Sequence, residues 1–143
     1  MEEFDPLKLE YQLCFPLYVC SKEIIKKYKP YLDEINLTYT QYITMMVLWE
    51  YEKINVKTLG EKLFLDSGTL TPLLKKLENK GYIKKERFSK DERNVLVSIT
   101  EKGKDLKVKA KNIPLKVSKC LNMEEKDSLE LYKILYKILN QIK

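Results

Sequence analysis

The sequence predicts a mainly α-helical fold with one small β-hairpin. Apolar residues recur at the three- and four-residue spacing of amphipathic helices over most of the 143 residues, and only four glycines and five prolines interrupt them. Two short runs, Tyr82–Phe88 and Val95–Ile99, carry the β-branched and aromatic residues typical of strands. This length suits one domain with its own hydrophobic core.

The segment 65–100 contains the most informative pattern. Asp66 or Ser67 can cap a helix, because a short side-chain oxygen accepts hydrogen bonds from the N–H groups of the first turn. Gly81 is predicted to end this helix, since glycine enters the left-handed region without steric cost. The predicted buried stripe of the helix is Leu70, Leu73, Leu74 and Leu77. The charged run 89–94 then forms the tip of the hairpin.

The exposed face of this helix and the hairpin carry an excess of positive charge. Residues 75–93 contain eight Lys or Arg against four Asp or Glu, a local net charge of +4. A helix that fits the major groove, with small hydroxyl residues at its start and a basic β-wing after it, is the layout of a winged helix-turn-helix. The alternative is a solvated, lysine-rich surface, but the ordered combination favours DNA binding. The residues concerned are Ser67, Thr69, Thr71, Lys75, Lys76, Lys80, Lys84, Lys85, Arg87, Lys90 and Arg93.

Helices are predicted on both sides of this segment. The first is Leu7–Tyr28, in which Pro16 either lies in the first turn of a helix that begins near Phe15 or bends the helix. Lys29 and Pro30 are expected to end it, since a residue before proline avoids the α region. A nearly all-apolar and therefore central helix is predicted at Thr40–Glu52, and a short helix at Lys57–Phe64 with Leu59, Leu63 and Phe64 inward. Asn55 and Val56 are expected to form a short extended link.

Two helices are predicted after the wing. One runs from an N-cap at Thr100 towards Lys119 with a kink at Pro114, and the last begins at Asn122 with Glu125 in a capping box.

The last helix is apolar on more than one face. Its stripe is Leu131, Ile134, Leu135, Ile138 and Ile142, and Leu129, Tyr132, Tyr136 and Leu139 widen it. Such a helix needs a partner, which is either the rest of its own domain or a second copy. We predict a homodimer, because a two-fold protein reads a two-fold operator. The single domain 1–143 then contains a helical dimerisation region, 1–36 and 101–143, and a DNA-binding region, 37–100.

Composition argues against several classes of function. The chain has no histidine, which argues against Ser-His-Asp and Cys-His catalysis and against zinc sites that use imidazole. We therefore expect no enzyme, no cofactor and no metal. The acidic start of the chain lacks the apolar core of a signal peptide, and no apolar run approaches 18 residues, so we expect a cytoplasmic protein outside the membrane. The three cysteines, Cys14, Cys20 and Cys120, form no paired CxxC motif and fit a reducing compartment.

Cys14 lies in a segment crowded with tyrosines. A cysteine in such a pattern is usually a buried, inert residue, and spacing alone favours that interpretation. The alternative is a reactive thiol, which requires a helix N-terminus and hydroxyl donors that stabilise its thiolate. Five tyrosines occur within 25 positions, at Tyr18, Tyr28, Tyr31, Tyr39 and Tyr42.

These residues together resemble the MarR family of winged-helix repressors, and specifically its organic-hydroperoxide-sensing OhrR branch. The resemblance runs from Leu9 to the last helix. The segments that carry it are Gln12–Phe15, Tyr28–Pro30, Leu37–Tyr39, Leu65–Lys75 and Asp91–Arg93. The segment Asp91–Arg93 alone would indicate the MarR family but not its hydroperoxide-sensing branch.

The resemblance implies a homodimeric repressor whose reduced form binds a double-stranded DNA operator. An organic hydroperoxide would oxidise Cys14 to a sulfenic acid and so release the operator. Tyr28 and Tyr39 match the tyrosines that hydrogen-bond the thiolate, one set arriving from the other subunit, and Tyr18 matches a further tyrosine of the pocket.

The resemblance also implies roles at the DNA. Ser67, Thr69 and Thr71 match contacts of the recognition helix, and Lys85 and Arg87 are expected to contact phosphates. Arg93 matches the wing arginine that enters the minor groove, and Asp91 the acid that orients it.

Some positions leave alternatives. Pro16 and Thr40 depart from the pattern of the family. Cys120 is a candidate resolving thiol, although a one-cysteine mechanism that uses a small thiol such as bacillithiol or cysteine is preferred. The other functions considered are a broader MgrA- or SarZ-like redox or antibiotic-response regulator, a MarR sensor of phenolic ligands, a thiol peroxidase and a non-specific DNA coat.

Overall fold

The computed structural model describes residues 3–87 and 94–142. These residues form two compact units, Met1–Ile113 and Pro114–Lys143, and each is described here by itself. A short 3-10 helix, Leu9–Tyr11, comes first. The helices that follow are α1 (Cys14–Glu34), α2 (Tyr39–Tyr51), α3 (Val56–Leu63), α4 (Ser67–Asn79), α5 (Glu101–Ala110), α6 (Ile113–Leu121) and α7 (Glu125–Ile142), and the strands are β1 (Lys53–Asn55), β2 (Ile83–Arg87) and β3 (Val95–Ile99). The predicted mainly helical fold with a small β-wing is confirmed.

Helix α1 begins at Cys14, which decides between the two interpretations of Pro16. Pro16 is the third helical residue, so its missing N–H falls in the first turn, where an N–H has no partner within the helix. The helix therefore starts near Phe15, as one interpretation required.

The predicted end of α1 is wrong. Pro30 lies inside the helix, which continues to Glu34. Lys29 and Asp33 form an ion pair with a separation of 3.0 Å across this proline, and Leu32 is buried in the last turn. Burial of that turn outweighs the single hydrogen bond that a proline removes.

Helix α2 is the centre of the first unit, as predicted. It packs against α1, α3, α4 and α5. Its N-terminus is a complete capping box: Thr38 Oγ1 accepts from the backbone N–H of Gln41, and Gln41 Oε1 accepts from the backbone N–H of Thr38. The helix therefore starts at Tyr39, one residue before the predicted start.

The sheet has three strands in the order β1-β3-β2, all antiparallel. Strand β1 was predicted only as an extended link at its last residue, because three residues are too few to show alternation. Its central residue, Ile54, is buried opposite Val97 of β3, and Lys85 of β2 faces Val97 from the other side.

The prediction for Phe64 is wrong. Phe64 ends α3 in the left-handed conformation, with φ 55°, and half of its surface is exposed. The chain must turn sharply there, because the N–H of Leu65 bonds to the carbonyl of Gly60. A Cβ on Gly60 would lie 2.9 Å from the Leu65 carbonyl oxygen, so this turn needs glycine.

Two predictions after the wing also need correction. The expected kinked helix after Thr100 is two helices, α5 and α6, and Pro114 is the second residue of α6 rather than a kink. Asn122 does not begin α7; it adopts φ 48° after α6, a conformation that asparagine tolerates, and α7 begins at Glu125. The N-cap at Thr100 is confirmed, since its hydroxyl accepts from the N–H of Gly103 at 3.1 Å.

Helix α7 buries none of its residues within the single chain. Several apolar side chains of α1 are exposed as well, including Phe15 and Leu17. In the described residues, no helix combines the length and the apolar character that a membrane span requires.

Candidate thiol site and nucleic-acid interface

Helix α4 presents its polar face because its apolar face is firmly packed. Its predicted leucine stripe is confirmed, with exposures of 7% or less at Leu70, Leu73, Leu74 and Leu77. Asp66 is the N-cap, and its Oδ1 accepts from the N–H of Thr69 at 2.8 Å. At the other end the N–H of Gly81, with φ 82°, bonds to the Glu78 carbonyl, and the N–H of Tyr82 bonds to the Leu77 carbonyl. This pair of bonds is a Schellman motif.

The predicted DNA-contacting side chains of α4 share the side away from the leucines. All of them are exposed, and they are Ser67, Thr69, Thr71, Lys75 and Lys76. The face has no acidic residue in its first turn. It therefore offers hydroxyl groups at one end and ammonium groups along its length, a chemistry suited to bases and phosphates.

The wing is connected directly to α4. The backbone N–H of Lys85 in β2 donates to Glu78 Oε2 at 3.1 Å. Arg87, the last residue of β2, is exposed and pairs in register with Val95. Lys90, Asp91 and Arg93, predicted at the tip of the wing, lie outside the described residues.

The structure brings Tyr28 and Tyr39 together. Their ring centroids are 5.1 Å apart in an edge-to-face arrangement. Tyr42 lies 5.9 Å from Tyr28 and 6.2 Å from Tyr39, and Trp49 lies 6.4 Å from Tyr42. We refer to Tyr28, Tyr39, Tyr42 and Trp49 as the aromatic cluster. Of these four, the sequence predicted only Tyr28 and Tyr39 as site residues, although Tyr42 and Trp49 are seven residues apart and so share one helix face.

Burial disfavours the charged form of the phenols in the cluster even more than water does. It raises the pKa of Tyr28 and of Tyr39 above the usual value for a phenol. Burial and the neighbouring Tyr28 and Tyr39 together raise the pKa of Tyr42 to about 12. All three phenols are therefore protonated near neutral pH and can donate hydrogen bonds to an anion.

Cys14 and Tyr18 do not join this cluster in the single chain. Cys14 and Tyr28 both lie on α1, and their separation of 14 residues corresponds to a rise of about 21 Å. Cys14 is exposed at the first helical position. Tyr18 is 63% exposed, and the ammonium group of Lys22 lies 5.5 Å from its ring centroid.

The other two thiols differ in position from Cys14, on α1 and on α6. Cys20 and Cys120 are both exposed. Within residues 3–87 and 94–142, no group of three His, Cys, Asp or Glu side chains is arranged to hold a metal ion.

Comparisons with known proteins identify the family. The family model described as transcriptional regulator SarA/Rot matches residues 26–110. The chain is 48% identical over 140 residues to the organic hydroperoxide resistance transcriptional regulator of Bacillus subtilis (strain 168), which covers 98% of this chain and 95% of that protein. The chain belongs to the MarR family of winged-helix transcriptional regulators. The predicted family and branch are thus confirmed.

Three further comparisons describe the position of this MarR-family regulator among its relatives. It is 52% identical over 141 residues to the HTH-type transcriptional regulator SarZ of Staphylococcus saprophyticus, with coverage of 99% of this chain and 96% of that protein. The solved structure of reduced AbfR bound to DNA is 30% identical, has a TM-score of 0.75 and covers 94% of each chain. A solved structure of disulfide-formed AbfR is 31% identical, has a TM-score of 0.65 and covers 92% of each chain.

Proposed function

We propose that the protein is a homodimeric repressor that binds a DNA operator when Cys14 is reduced and releases it when an organic hydroperoxide oxidises Cys14. The observation that carries this proposal is the exposed thiol at the first position of α1. The N–H groups of a first helical turn point at this position, and the positive end of the helix dipole favours an anion there. The kinship with hydroperoxide resistance regulators supports the oxidant class.

The sensing site is composed of two subunits. Cys14 lies about 21 Å along α1 from the tyrosines, because a helix rises about 1.5 Å per residue. The exposed apolar side chains of α1 and α7 provide surfaces for a second copy. In the dimer, Tyr28 and Tyr39 of one subunit donate to the thiolate of the partner subunit's Cys14, and Tyr18 completes the pocket.

The chemical step oxidises one sulfur by two electrons. The thiolate of Cys14 attacks the hydroperoxide, so an S–O bond forms while the O–O bond breaks, and the alkoxide that leaves takes up a proton to become an alcohol. A small thiol such as bacillithiol or cysteine then forms an S–S bond with Cys14, and water leaves. Cys120 is the alternative thiol for this second step.

Oxidation acts on DNA binding by removing a charge. The phenols lose the anion to which they donated, and the ends of α1 and α2 that carry them change position. Two α4 helices of a dimer fit successive major grooves only at one spacing, so a shift of either helix weakens operator binding. At the DNA, Ser67, Thr69 and Thr71 contact bases or phosphates, and Lys75, Lys76, Lys85 and Arg87 contact phosphates. Arg93, oriented by Asp91, enters the minor groove.

The relationship to SarZ favours a second candidate function. A chain 52% identical to SarZ can use the same cysteine to control a wider set of genes than a single peroxidase gene. Mapping the DNA bound in cells separates the two functions: one operator beside a peroxide-detoxifying gene supports the narrow function, and many dispersed sites support the broad one.

The experiment that tests the sensor compares two cysteine variants. A fluorescent duplex, selected for binding from random-sequence DNA, is titrated by anisotropy before and after one equivalent of cumene hydroperoxide per subunit. Wild type and Cys20→Ser, the matched control on the same helix, should release the duplex, whereas Cys14→Ser should bind it and keep it. Release by Cys14→Ser would refute the assignment, and repeated turnover of peroxide with a thiol reductant would instead indicate a peroxidase.

A further inference from the structure

Lys80 connects the end of the recognition helix α4 to a distant part of the fold. It is the C-cap residue of α4, and its Nζ donates to the backbone carbonyl of Asn36 at 2.6 Å and to Gln41 Oε1 at 3.0 Å. These acceptors precede it by 44 and 39 residues. The partly buried position lowers the pKa of Lys80, first through desolvation and then through repulsion from Lys76.

The two acceptors lie on either side of Tyr39. Asn36 adopts φ 54° where α1 ends, and its N–H bonds to the Asp33 carbonyl. Gln41 completes the capping box that starts α2, in which Tyr39 is the first helical residue. Lys80 thus holds the short connection between α1 and α2, the segment from which Tyr39 enters the aromatic cluster.

A second lysine holds Lys80 from the opposite side. Lys102 Nζ donates to the backbone carbonyl of Lys80 at 2.8 Å, and it lies 5.2 Å from the ring centroid of Tyr82. Thr100 adds a bond from its hydroxyl to the Gly81 carbonyl at 2.6 Å. Since its backbone is held at the start of α5 while its side chain is held at the start of α2, Lys80 cannot shift without moving one of them.

We propose that Lys80 is a positioning residue that couples the thiol-sensing pocket to the DNA-contacting face, by fixing the C-terminal end of α4 to the connection that carries Tyr39. This proposal rests on the proposed function for its redox part alone. A displacement of Tyr39 moves Gln41 and Asn36, and the hydrogen bonds of Lys80 pass the displacement to α4. The coupling is reciprocal, so binding of DNA to α4 must also restrain residues 36–41.

The reciprocal effect gives a test that needs no peroxide. Amide hydrogen exchange is measured on the peptide 36–45, with and without the selected DNA duplex, for wild type and for Lys80→Met. Lys107→Met is the matched control, because it removes one positive charge from an exposed position on α5. DNA should slow exchange of this peptide at least threefold in wild type and in the control, and by less than 1.5-fold in Lys80→Met.

Two further variants separate positioning from simple stability. Lys80→Arg keeps charge and donors and should recover at least half of the DNA-induced protection. Lys80→Gln keeps one donor group and is measured in parallel, so that the result does not depend on how well Lys80→Met folds. A purely structural lysine would lower the melting temperature but leave the ratio of exchange rates unchanged, and that result would overturn the proposal.

A measurement with peroxide separates failure of the Lys80 coupling from failure of the hydroperoxide-sensor function. In wild type and Lys107→Met, cumene hydroperoxide should raise the operator Kd strongly. In Lys80→Met this rise should be at least fivefold smaller. Mass spectrometry should show that Cys14 is oxidised to the same extent in all three proteins. An equal rise in Lys80→Met would overturn the coupling. If peroxide releases no DNA even from wild type while the exchange result holds, the sensor function fails and the coupling between α2 and α4 stands.

Discussion

Helices α4 and α7 have similar sequence patterns and opposite environments. Each carries an aliphatic stripe with lysines on the other side, formed by leucines in α4 and by leucines and isoleucines in α7. Helix α4 buries its four stripe leucines to exposures of 7% or less. Eight large apolar or aromatic side chains of α7 keep exposures between 38% and 75%. The pattern of an amphipathic helix therefore predicts that a partner exists, and only the structure locates that partner in the same chain for α4.

The same contrast divides the proposed sensor. Tyr28 and Tyr39 belong to the packed core around α2, where their rings meet at 5.1 Å. Cys14 and Tyr18 lie on the exposed start of α1. Within one chain the thiol and the tyrosine donors therefore lie apart, and the proposal is that a second chain brings them together.

The largest expected effect tests whether the exposed stripe of α7 is a dimer surface. Leu131→Glu combined with Leu135→Glu puts two charges one turn apart on it, and each buried leucine at an interface is worth about 2 kcal/mol. The dimer should weaken by about 4 kcal/mol, or roughly a thousandfold in its dissociation constant. Sedimentation velocity at micromolar concentration should show monomers.

The control for this change is Asn140→Glu, which adds charge to an exposed polar position of the same helix. It should leave the dimer intact. A dimer that survives the double substitution would show that the exposed stripe of α7 is not the dimer surface.

The next effect tests the packed region by itself. Gly103 of α5 lies against the wing, and a Cβ there would clash with the carbonyl of Tyr82 and lie 2.8 Å from Ile99 Cγ1. Gly103→Ala should lower the free energy of unfolding by about 3 kcal/mol, as overpacking against backbone does. Trp49 Nε1 donates to the Gly103 carbonyl at 2.9 Å, so the fluorescence of this single tryptophan should report the change in a urea titration.

Gly68→Ala is the comparison for that measurement. Its new Cβ would lie 3.3 Å from Asp66 Oδ1, and the backbone there needs no left-handed conformation. The unfolding free energy should change by less than about 1 kcal/mol, since alanine also has the higher helix propensity. Equal effects of the two substitutions would show that the packing at Gly103 is less tight than the geometry indicates.

The sequence predicted the parts of the fold that local chemistry controls. The cap at Asp66, the leucine stripe of α4, the turn at Gly81 and the N-cap at Thr100 follow from residues within one helical turn of each other. Predictions failed where a distant contact decides. Pro30 remains helical because Leu32 is buried in the next turn, and Phe64 turns outward because the backbone reverses against Gly60.

The site was predicted unevenly for a related reason. The family resemblance singled out Tyr28 and Tyr39 as donors to the thiolate, and the structure shows their rings 5.1 Å apart within one chain. Their bonds to the thiolate stay a prediction. Nothing in the sequence indicated the bonds of Lys80, because its acceptors are a backbone carbonyl and a capping side chain about 40 residues away. The roles of Cys14, of Tyr18 and of the DNA-contacting residues stay predictions.

A smaller effect sharpens the idea that the sensor is shared between two chains. Tyr28→Phe with Tyr39→Phe removes two donors to the thiolate, and each hydrogen bond is worth about 1 kcal/mol. Oxidation of Cys14 should therefore slow about thirtyfold. Tyr51→Phe, at the far end of α2, is the control and should not slow it. The rate is followed by loss of the reactive thiol in the presence of cumene hydroperoxide.

Mixed dimers then identify which chain supplies the donors. A dimer of one Cys14→Ser subunit and one Tyr28→Phe/Tyr39→Phe subunit contains one intact pocket if the site is shared, because its remaining thiol faces intact tyrosines. That thiol should react at the wild-type rate. Reaction at the slow rate of the double tyrosine variant would place thiol and donors in the same subunit, against the distance of about 21 Å along α1.

The smallest expected effect concerns Cys120. We expect Cys120→Ser to leave peroxide-dependent operator release unchanged when a small thiol is present, because Cys120 has no recognisable motif around it, whereas the segments 12–15 and 66–75 follow the one-cysteine branch most closely. The disulfide-formed state of AbfR, a relative 31% identical, makes the opposite outcome worth measuring. Non-reducing electrophoresis after oxidation decides between Cys120 and an added small thiol. Cys120 is the resolving thiol if wild type shows a species of twice the chain mass that is absent from both Cys14→Ser and Cys120→Ser. The one-cysteine mechanism is established if mass spectrometry finds equal amounts of a mixed disulfide between Cys14 and the added thiol in wild type and in Cys120→Ser. In that mechanism the exposed start of α1 needs the tyrosines of a second chain but no second cysteine.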